Sequence, residues 1–390
     1  MIIGWVIGLV SAAVSYDSYK KAKKAQKEAE DASKGVLLNK NSNIENIPVI
    51  YGERRVGGVR AFVSTKDVPG GDENEYLYIA LVLAEGEVHS ITDIELDEFP
   101  ASDGRFAGLV DYNVHLGGDD QTVDSLLQEA PDWTSNHRLR GVAYIAIRLK
   151  YDQDAWQGIP EITAKVQGKK VLDFRTGTTT YSNNPALCLY DYLTNTRYGK
   201  GLPTHLLDTP RFTTAANECD NYTVTPYSGG TAIRIFQCNY VLDTGDTILD
   251  NVKEILSGCR GFLPFIDGRY SLIIDDSSSP SRTFSTDNII GGIQIDSGEK
   301  KNTFNRYTVK FANEDINYQP DQATYPDVNS TEETDYLEEN YDELLQETKE
   351  IKTITNYYIA REFARILVRR SRNQLRVSFT ADSSGLMLIA

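Results

Sequence analysis

The spacing of hydrophobic and polar positions changes along this chain, and the clearest change falls between Ile248 and Asp276. Ile248, Leu249, Val252, Ile255 and Leu256 recur at helical spacing, with Asp250, Asn251, Lys253 and Glu254 on the opposite face. Asp246 or Thr247 can cap the start of that helix and Gly258 can end it. The stretches Arg260 to Ile266 and Arg269 to Ile274 then flank Asp267-Gly268, the pair a two-residue type I′ turn prefers, because both central residues need positive φ. One helix running into one hairpin is predicted, each with an apolar face that needs a partner.

Elsewhere the period is mostly that of strands. Ile47, Val49 and Tyr51 alternate, as do Val59, Ala61 and Val63, and the turn-rich YGERRVGG between them predicts paired strands. YLYIALVLAEGEV from Tyr76 is apolar on both alternating faces, the signature of a central buried strand. Ser90 to Leu96 continues that sheet, Val142 to Tyr151 is another strong strand and Ile162 to Val166 a weaker one, while Gly104 to Trp133 reads as irregular with a short helix from Asp124. Strands at this spacing predict a β-barrel or sandwich.

From Asn183 the pattern mixes. Asn184 can cap a helix with Pro185 in its first turn, with Ala186, Leu189, Tyr190 and Leu193 on one face and Gly199 as its stop. A second helix starts near Thr209, and Ile233 to Cys238 reads as a strand. Asn302 to Asn313 returns to strand, Val328 to Glu350 is an acidic solvated loop or helix face, and Asn356 to Arg372 is helical with Ala360, Phe363, Ala364 and Leu367 on one side. Leu375, Val377 and Phe379 alternate as a last strand. The fold class is mainly β with α+β. The expected divisions are an N-terminal helix (1–36), a first β-rich domain (37–182), an α+β domain (183–285) and a second β-rich domain with a helix (286–390). The sequence stops inside the apolar stretch LMLIA, which reads as a domain cut short of a longer protein.

The N-terminal segment has its own logic. Residues 1–16 are apolar and residues 17–34 charged and helix-favouring, together one helix of about 30 residues. A secretory signal would carry its basic residues before the apolar run, and here the lysines follow it. A membrane span wants about 20 apolar residues, more than this run supplies. Gly4, Gly8 and Ala12 are spaced by four and permit close helix approach, so packing against copies of itself or a partner helix is the favoured reading.

Composition narrows the chemistry. A formal net charge of −16 argues against tight nucleic-acid binding, which needs Lys and Arg, yet suits a passage along which DNA slides without sticking. The four cysteines lack metal-ligand spacing. Cys188 and Cys259 read as buried thiols, and a disulfide is left open only for Cys219 and Cys238, which can face each other across a loop. No catalytic constellation survives inspection. Gly199-Lys200-Gly201 lacks the upstream glycine and the following Ser or Thr of a phosphate loop, His89, His115, His137 and His205 are scattered, and Gly117-Gly118-Asp119-Asp120 reads as a turn rather than a calcium loop. No cofactor, metal ligand or catalytic residue is expected.

Five segments carry a resemblance: IPVIYGERRVGG (Ile47–Gly58), NPALCLYDYLTNTRYGKGL (Asn184–Leu202), ILDNVKEILSGCRGFLPFIDGRYSL (Ile248–Leu272), YTVKF with a later TYPD (Tyr307–Phe311, Thr324–Asp327), and the AREFAR helix before LRVSFTA. Together, over roughly residues 44 to 390, they resemble the hub region of tail tip attachment proteins of long-tailed bacteriophages, the lambda-type host-specificity protein. The resemblance implies a structural, non-enzymatic homotrimer at the virion tail tip, assembled in the host cytoplasm. Its implied partners are the distal tail protein ring, the C-terminus of the tape-measure protein and other tail tip proteins. DNA is implied only in transit, and a host receptor only through a C-terminal part not present here. Each subunit would supply two tube-like β-domains to a pseudo-six-fold ring. The competing expectations are a membrane-anchored β-rich adhesin and a cell-wall hydrolase component.

Overall fold

The computed structural model describes residues 37, 39–40, 45–68, 74–156, 158–226, 229–275, 283–296, 298–373 and 375–382. The helix expected over residues 1–34, with Gly4, Gly8 and Ala12, lies outside them, as does the apolar stretch after Asp382. The described residues fall into two compact units. The first is Arg54–Gly168 with the chain before Ile50, and the second is Ile50–Glu53 with the chain from Lys169 onward.

The chain opens with β1 (Val49–Tyr51) and β2 (Glu53–Val56), then β3 (Val59–Lys66), β4 (Tyr76–Glu85), β5 (Val88–Leu96), β6 (Phe99–Pro100), β7 (Val110–His115), β8 (Val142–Lys150) and β9 (Ile162–Asp173). In the first unit, β3, β4, β8 and β7 form an antiparallel sheet in that order, and β5 lies between β6 and β9 in another. The two longest apolar runs, β4 and β8, pair along almost their whole length from Tyr76↔Lys150 to Glu85↔Val142. Both faces of these strands are buried, as the continuous apolar run predicts. On one face Tyr78, Ala80, Val82, Tyr144 and Ala146 pack under a loop layer carrying Leu127, Ala130 and Trp133.

Four expectations for this unit need correction. The alternating runs around YGERRVGG do not pair with each other: β1 pairs with β13 (Tyr240–Leu242) and β3 with β4. Gly52 and Gly58, at φ +65° and +71°, turn the chain twice between them, in a region of backbone space that side chains with a Cβ rarely adopt. A bulge between Arg60 and Phe62 reverses the expected alternation, so Phe62 meets the Trp133 ring at 4.9 Å and Val63 is exposed. The stretch read as irregular contains β7, which completes the sheet. The helix expected from Asp124 is only a single turn, Leu127–Glu129, with the Asp124 carboxylate accepting from the Leu127 N–H.

The second unit continues with β10 (Thr178–Tyr181), α1 (Pro185–Thr194), α2 (Thr209–Asn221), β11 (Thr223–Val224), β12 (Ile233–Arg234) and α3 (Ile248–Ser257). The strand expected over Ile233 to Cys238 is only the two residues of β12. Asn184, Asp208 and Thr247 cap the three helices through their side chains. α1 ends at Thr194 with Asn195 as its cap, so Gly199 does not terminate it. Gly199 instead lies so close to the Tyr192 carbonyl that an added Cβ would come within 1.9 Å of that oxygen.

After α3 come β14 (Gly261–Phe262), β15 (Phe265–Ile266), β16 (Arg269–Tyr270) and β17 (Ile273–Ile274). These form the expected hairpin, with Phe265↔Tyr270 and Ile266↔Arg269 flanking Asp267 and Gly268 at φ +49° and +78°. β18 (Ile289–Asp296) follows, then β19 (Arg306–Asn313), β20 (Gln319–Tyr325), α4 (Thr331–Glu339), β21 (Gln346–Glu350), α5 (Tyr357–Arg372) and β22 (Arg376–Ala381). β19 is central in a sheet between antiparallel β20 and parallel β21. α5 packs on β19 and β20 through its buried Ile359, Ala360, Phe363, Ala364 and Val368. The architecture is mainly β with α+β, and no sheet closes into a barrel among the described residues.

Candidate assembly surface

Parts of three of the segments that carry the resemblance meet through side-chain hydrogen bonds within the second unit. Tyr51 and Tyr198 both donate to Oδ2 of Asp191, each at 2.6 Å, which ties the first segment to α1 and the turn after it. Burial, then the Asp191 carboxylate, holds the Tyr51 phenol well above its ordinary value, so it remains a donor. Glu53 accepts from Tyr318 at 2.9 Å, while its own N–H donates to Asn239 Oδ1 at 3.1 Å. Asn251 was expected on the solvent face of α3 and is buried instead. Its amide donates to Tyr192 Oη at 3.1 Å and the Asp243 carbonyl at 3.0 Å, and its Oδ1 accepts from Tyr240 at 3.1 Å. That network rolls the helix, so Leu249, expected inside, is 61% exposed. In the first unit, the motif's Arg55 is buried against Glu95 at 3.1 Å and the Asp93 carbonyl at 2.8 Å.

The acidic run and the arginines of α5 meet each other. Arg361 pairs with Asp327, Arg369 with Glu332 and Arg372 with Glu339, and from β19 Arg306 pairs with the buried Glu333. Part of a stretch that reads as solvated is therefore a folded helix, α4, held by cations from distant sequence. Alternating charge signs over this separation carry no sequence signal, which is why the pairing was invisible there.

The structure leaves all four cysteines as buried free thiols. Cys219 and Cys238 are each influenced by a different thiol, Cys238 acting on Cys188 and Cys259 on Cys219, and the Cys188 and Cys259 thiols donate to the Ser182 and Leu256 carbonyls. Burial foremost pushes the Cys188 thiol upward, and the neighbouring Cys259 thiol together with burial does the same for Cys219, which keeps both protonated and unreactive.

Of the four histidines, His89, His137 and His205 are exposed. His115 stacks on Tyr144 at 4.4 Å and contacts Asp124 Oδ2 through Nε2 at 2.8 Å. Asp124 also accepts from Asn113 at 2.9 Å and from the Leu127 N–H at 2.8 Å, so its oxygens are spent on fixing the loop layer to β7. The Gly117–Asp120 stretch is pinned by buried Gln121, which accepts from Gly117 N–H and donates to the Arg138 and Leu139 carbonyls. Among the described residues no three His, Cys, Asp or Glu side chains cluster to hold a metal, and no helix is long and apolar enough to cross a membrane. One groove of about 470 Å³ in the first unit is floored by Leu77, Leu149, Trp156 and Ile159.

The surface feature that stands out is the pair β18 and β22. Among the described residues they form a two-stranded sheet, with Ile295↔Val377 and Asp296↔Arg376 in register and an irregularity between Ile290 and Gln294. Alternation places Ile289, Ile293, Ile295, Val377, Phe379 and Ala381 on one face, and Ile290, Gln294, Asp296, Arg376, Ser378 and Thr380 on the other. An apolar face opposite a mostly polar one is the pattern of a sheet covered on one side. Here Ile293, Ile295 and Val377 are 54%, 63% and 48% exposed.

The whole chain compares with proteins of phage particles. It is 23% identical over 430 aligned positions to baseplate hub protein pb3 of Escherichia phage T5, covering 90% of this chain and 44% of that protein. The chain is related to phage tail hub and tip proteins. It is also 31% identical over 144 positions to tip attachment protein J of Escherichia phage SECphi27, covering 36% of this chain and 12% of that protein. The chain thus spans less than half the length of these relatives. A chain in the virion of a native gene transfer agent particle shares the fold at a TM-score of 0.58 and 15% identity, over 89% of this chain and 77% of that one. No family model matches.

Proposed function

We propose that this chain is a structural hub of a phage tail tip. The observation that carries the reading is the similarity to a baseplate hub protein along 90% of the chain, together with a fold shared with a virion component. In this reading three copies close the distal end of the tail tube and dock on the distal tail ring. They meet the end of the tape-measure protein and give way when DNA leaves. The role is architectural rather than enzymatic. It is consistent with polar networks such as Tyr51–Asp191–Tyr198 that are spent on internal packing. Gly4, Gly8 and Ala12 would bundle the N-terminal helices of the three copies within the tube. An excess of 56 acidic over 40 basic residues would keep the DNA from adhering in passage.

The test is a phage in which this reading frame carries a premature stop codon. Tails lacking a closed tip, restored to normal length and infectivity by the chain supplied in trans, are the expected result. Complete infectious particles formed without the chain would overturn the reading. Labelled antibody against the chain should decorate one end of isolated tails, and uniform decoration along the tube would argue for a different structural role.

A further inference from the structure

The interior of the second unit has a seam. On one side, with α1, α2 and α3, β1 pairs with β13, β11 with β12, β14 with β17 and β15 with β16. On the other, β19, β20 and β21 form the sheet that α5 covers. Among the described residues no strand pairing joins the two sides. The strap Ile50–Glu53 reaches across, together with the residue it seats against, Asn239, which is 3% exposed.

The strap is held unequally. On the α1 side it has the β1–β13 pairing and the bond from buried Tyr51 to Asp191 at 2.6 Å. Its backbone lies so close there that a Cβ added at Gly52 would come within 2.2 Å of Asn239 Oδ1. On the α5 side its own hold is the half-buried Glu53, which accepts from Tyr318, just before β20, at 2.9 Å. Asn239 completes the crossing. Its Oδ1 accepts from the Glu53 N–H at 3.1 Å, its own N–H donates to the Thr353 carbonyl at 3.0 Å, and its Nδ2 donates to Thr355 Oγ1 at 2.9 Å. Thr355 Oγ1 donates in turn to Glu314 Oε2 at 2.9 Å, and the Glu314 N–H donates to the Thr355 carbonyl at 2.8 Å. In such a chain the loss of one bond leaves buried partners unsatisfied, so the bonds stand or fall together. The edge-on rings of Phe236 and Phe363 at 6.1 Å and the exposed pair Arg370–Asp275 also cross the seam, and neither touches the strap.

We propose that residues 50–53 and Asn239 form a latch across this seam, which opens as one step while both sides stay folded. The strap leaves with the α1 side, where strand pairing and Tyr51 hold it, and the bonds to Tyr318, Thr353 and Thr355 part together. The inference rests on the hub reading only for its use. A hub that gives way to DNA needs a joint that yields before its cores do, and a short run of polar bonds yields sooner than buried apolar packing.

The test is native-state hydrogen exchange on the full chain, read at single amides. The N–H groups of Glu53, Asn239 and Glu314 all donate within the latch. They should share one degree of protection, lower than that of the amides in α1 and central β19. Y318F removes a hydroxyl from the strap's leg, and T355V removes one from the leg through Asn239. Each should speed exchange at all three amides alike, by about tenfold, and leave α1 and β19 unchanged. Latch amides that exchange with the cores, or a Y318F that speeds Glu53 alone, overturn the latch and leave the hub reading intact. Phage particles carrying Y318F should release their DNA at a lower temperature than wild type. An unchanged release temperature beside faster exchange overturns the latch's use in opening, and the stop-codon phage decides the hub reading separately.

Discussion

The Tyr51 hydroxyl lies 2.6 Å from the Asp191 carboxylate, joining residues 140 positions apart in sequence. Tyr51 is 0% exposed, so the bond forms away from water, where a hydrogen bond to a charged acceptor is strongest. Y51F should lower stability by about 1–2 kcal/mol, because Asp191 keeps the bond from Tyr198. D191A should cost more, since it strands two hydroxyls at once. Equilibrium urea unfolding of both variants checks this; equal midpoints for Y51F and wild type would contradict it.

Two glycines separate close approach from simple presence. G199A places a methyl group against the Tyr192 carbonyl, which belongs to backbone and cannot swing aside. A loss of about 3 kcal/mol or more is expected. G104A meets nothing within 4 Å and should stay within about 0.5 kcal/mol of wild type. Thermal melts of the pair give the comparison directly.

Acid should weaken the first unit through Asp124. Burial pushes its carboxyl upward, but the bonds from His115, the Leu127 N–H and Asn113 outweigh burial and hold it below the usual carboxylate range. A depressed folded value means the contribution is complete above about pH 5 and drains away as pH falls through the folded value, below about 4. Asp173 and Asp220 in the second unit, both depressed and both partnered by Arg175, add the same sign. D124N should flatten the fall in melting temperature between pH 5 and pH 3; an unchanged slope would remove Asp124 from the account.

The clasp between the acidic run and the arginines should prove unequal in its parts. The Asp327 side chain is 64% exposed, so its pair with Arg361 contributes little, and D327A should cost less than about 0.5 kcal/mol. The Glu333 side chain is 5% exposed, pairs with Arg306 and accepts from the Asn329 N–H at 2.6 Å. E333A leaves that arginine without its carboxylate and should cost about 2 kcal/mol. Salt at molar concentration should erase the first effect and leave most of the second. Chemical denaturation by urea, which leaves ionic strength free to vary, measures both.

Much of the architecture could be read from the chain, and the reasons differ by element. β4 and β8 were plain because burial on both faces leaves an unbroken apolar run, and α1 because Asn184-Pro185 marks its start. The Asp267-Gly268 turn was legible from backbone sterics alone. β7 was not: DYNV shows no apolar alternation, since its outward side meets water and its place is fixed by pairing with β8. Asn251 was misplaced because a polar residue reads as solvated until tyrosine hydroxyls from two other elements are known to surround it. Of the candidate surface, the alternation of Leu375, Val377 and Phe379 was visible. That the strand's partner among the described residues is β18 is a property of topology, which no local pattern records.

The placement of Ile50–Glu53 constrains how the protein forms at the ribosome. These residues belong to the unit that otherwise begins at Lys169, and β1 finds its partner in Tyr240–Leu242. At about 5–20 residues per second, roughly ten to forty seconds of synthesis separate the two strands. Throughout that interval a short apolar segment near the start of the chain has no partner, while the sheet sequences after it are already emerging. Vectorial synthesis therefore cannot complete the second unit in order: its first strand is made early and held until its partner arrives.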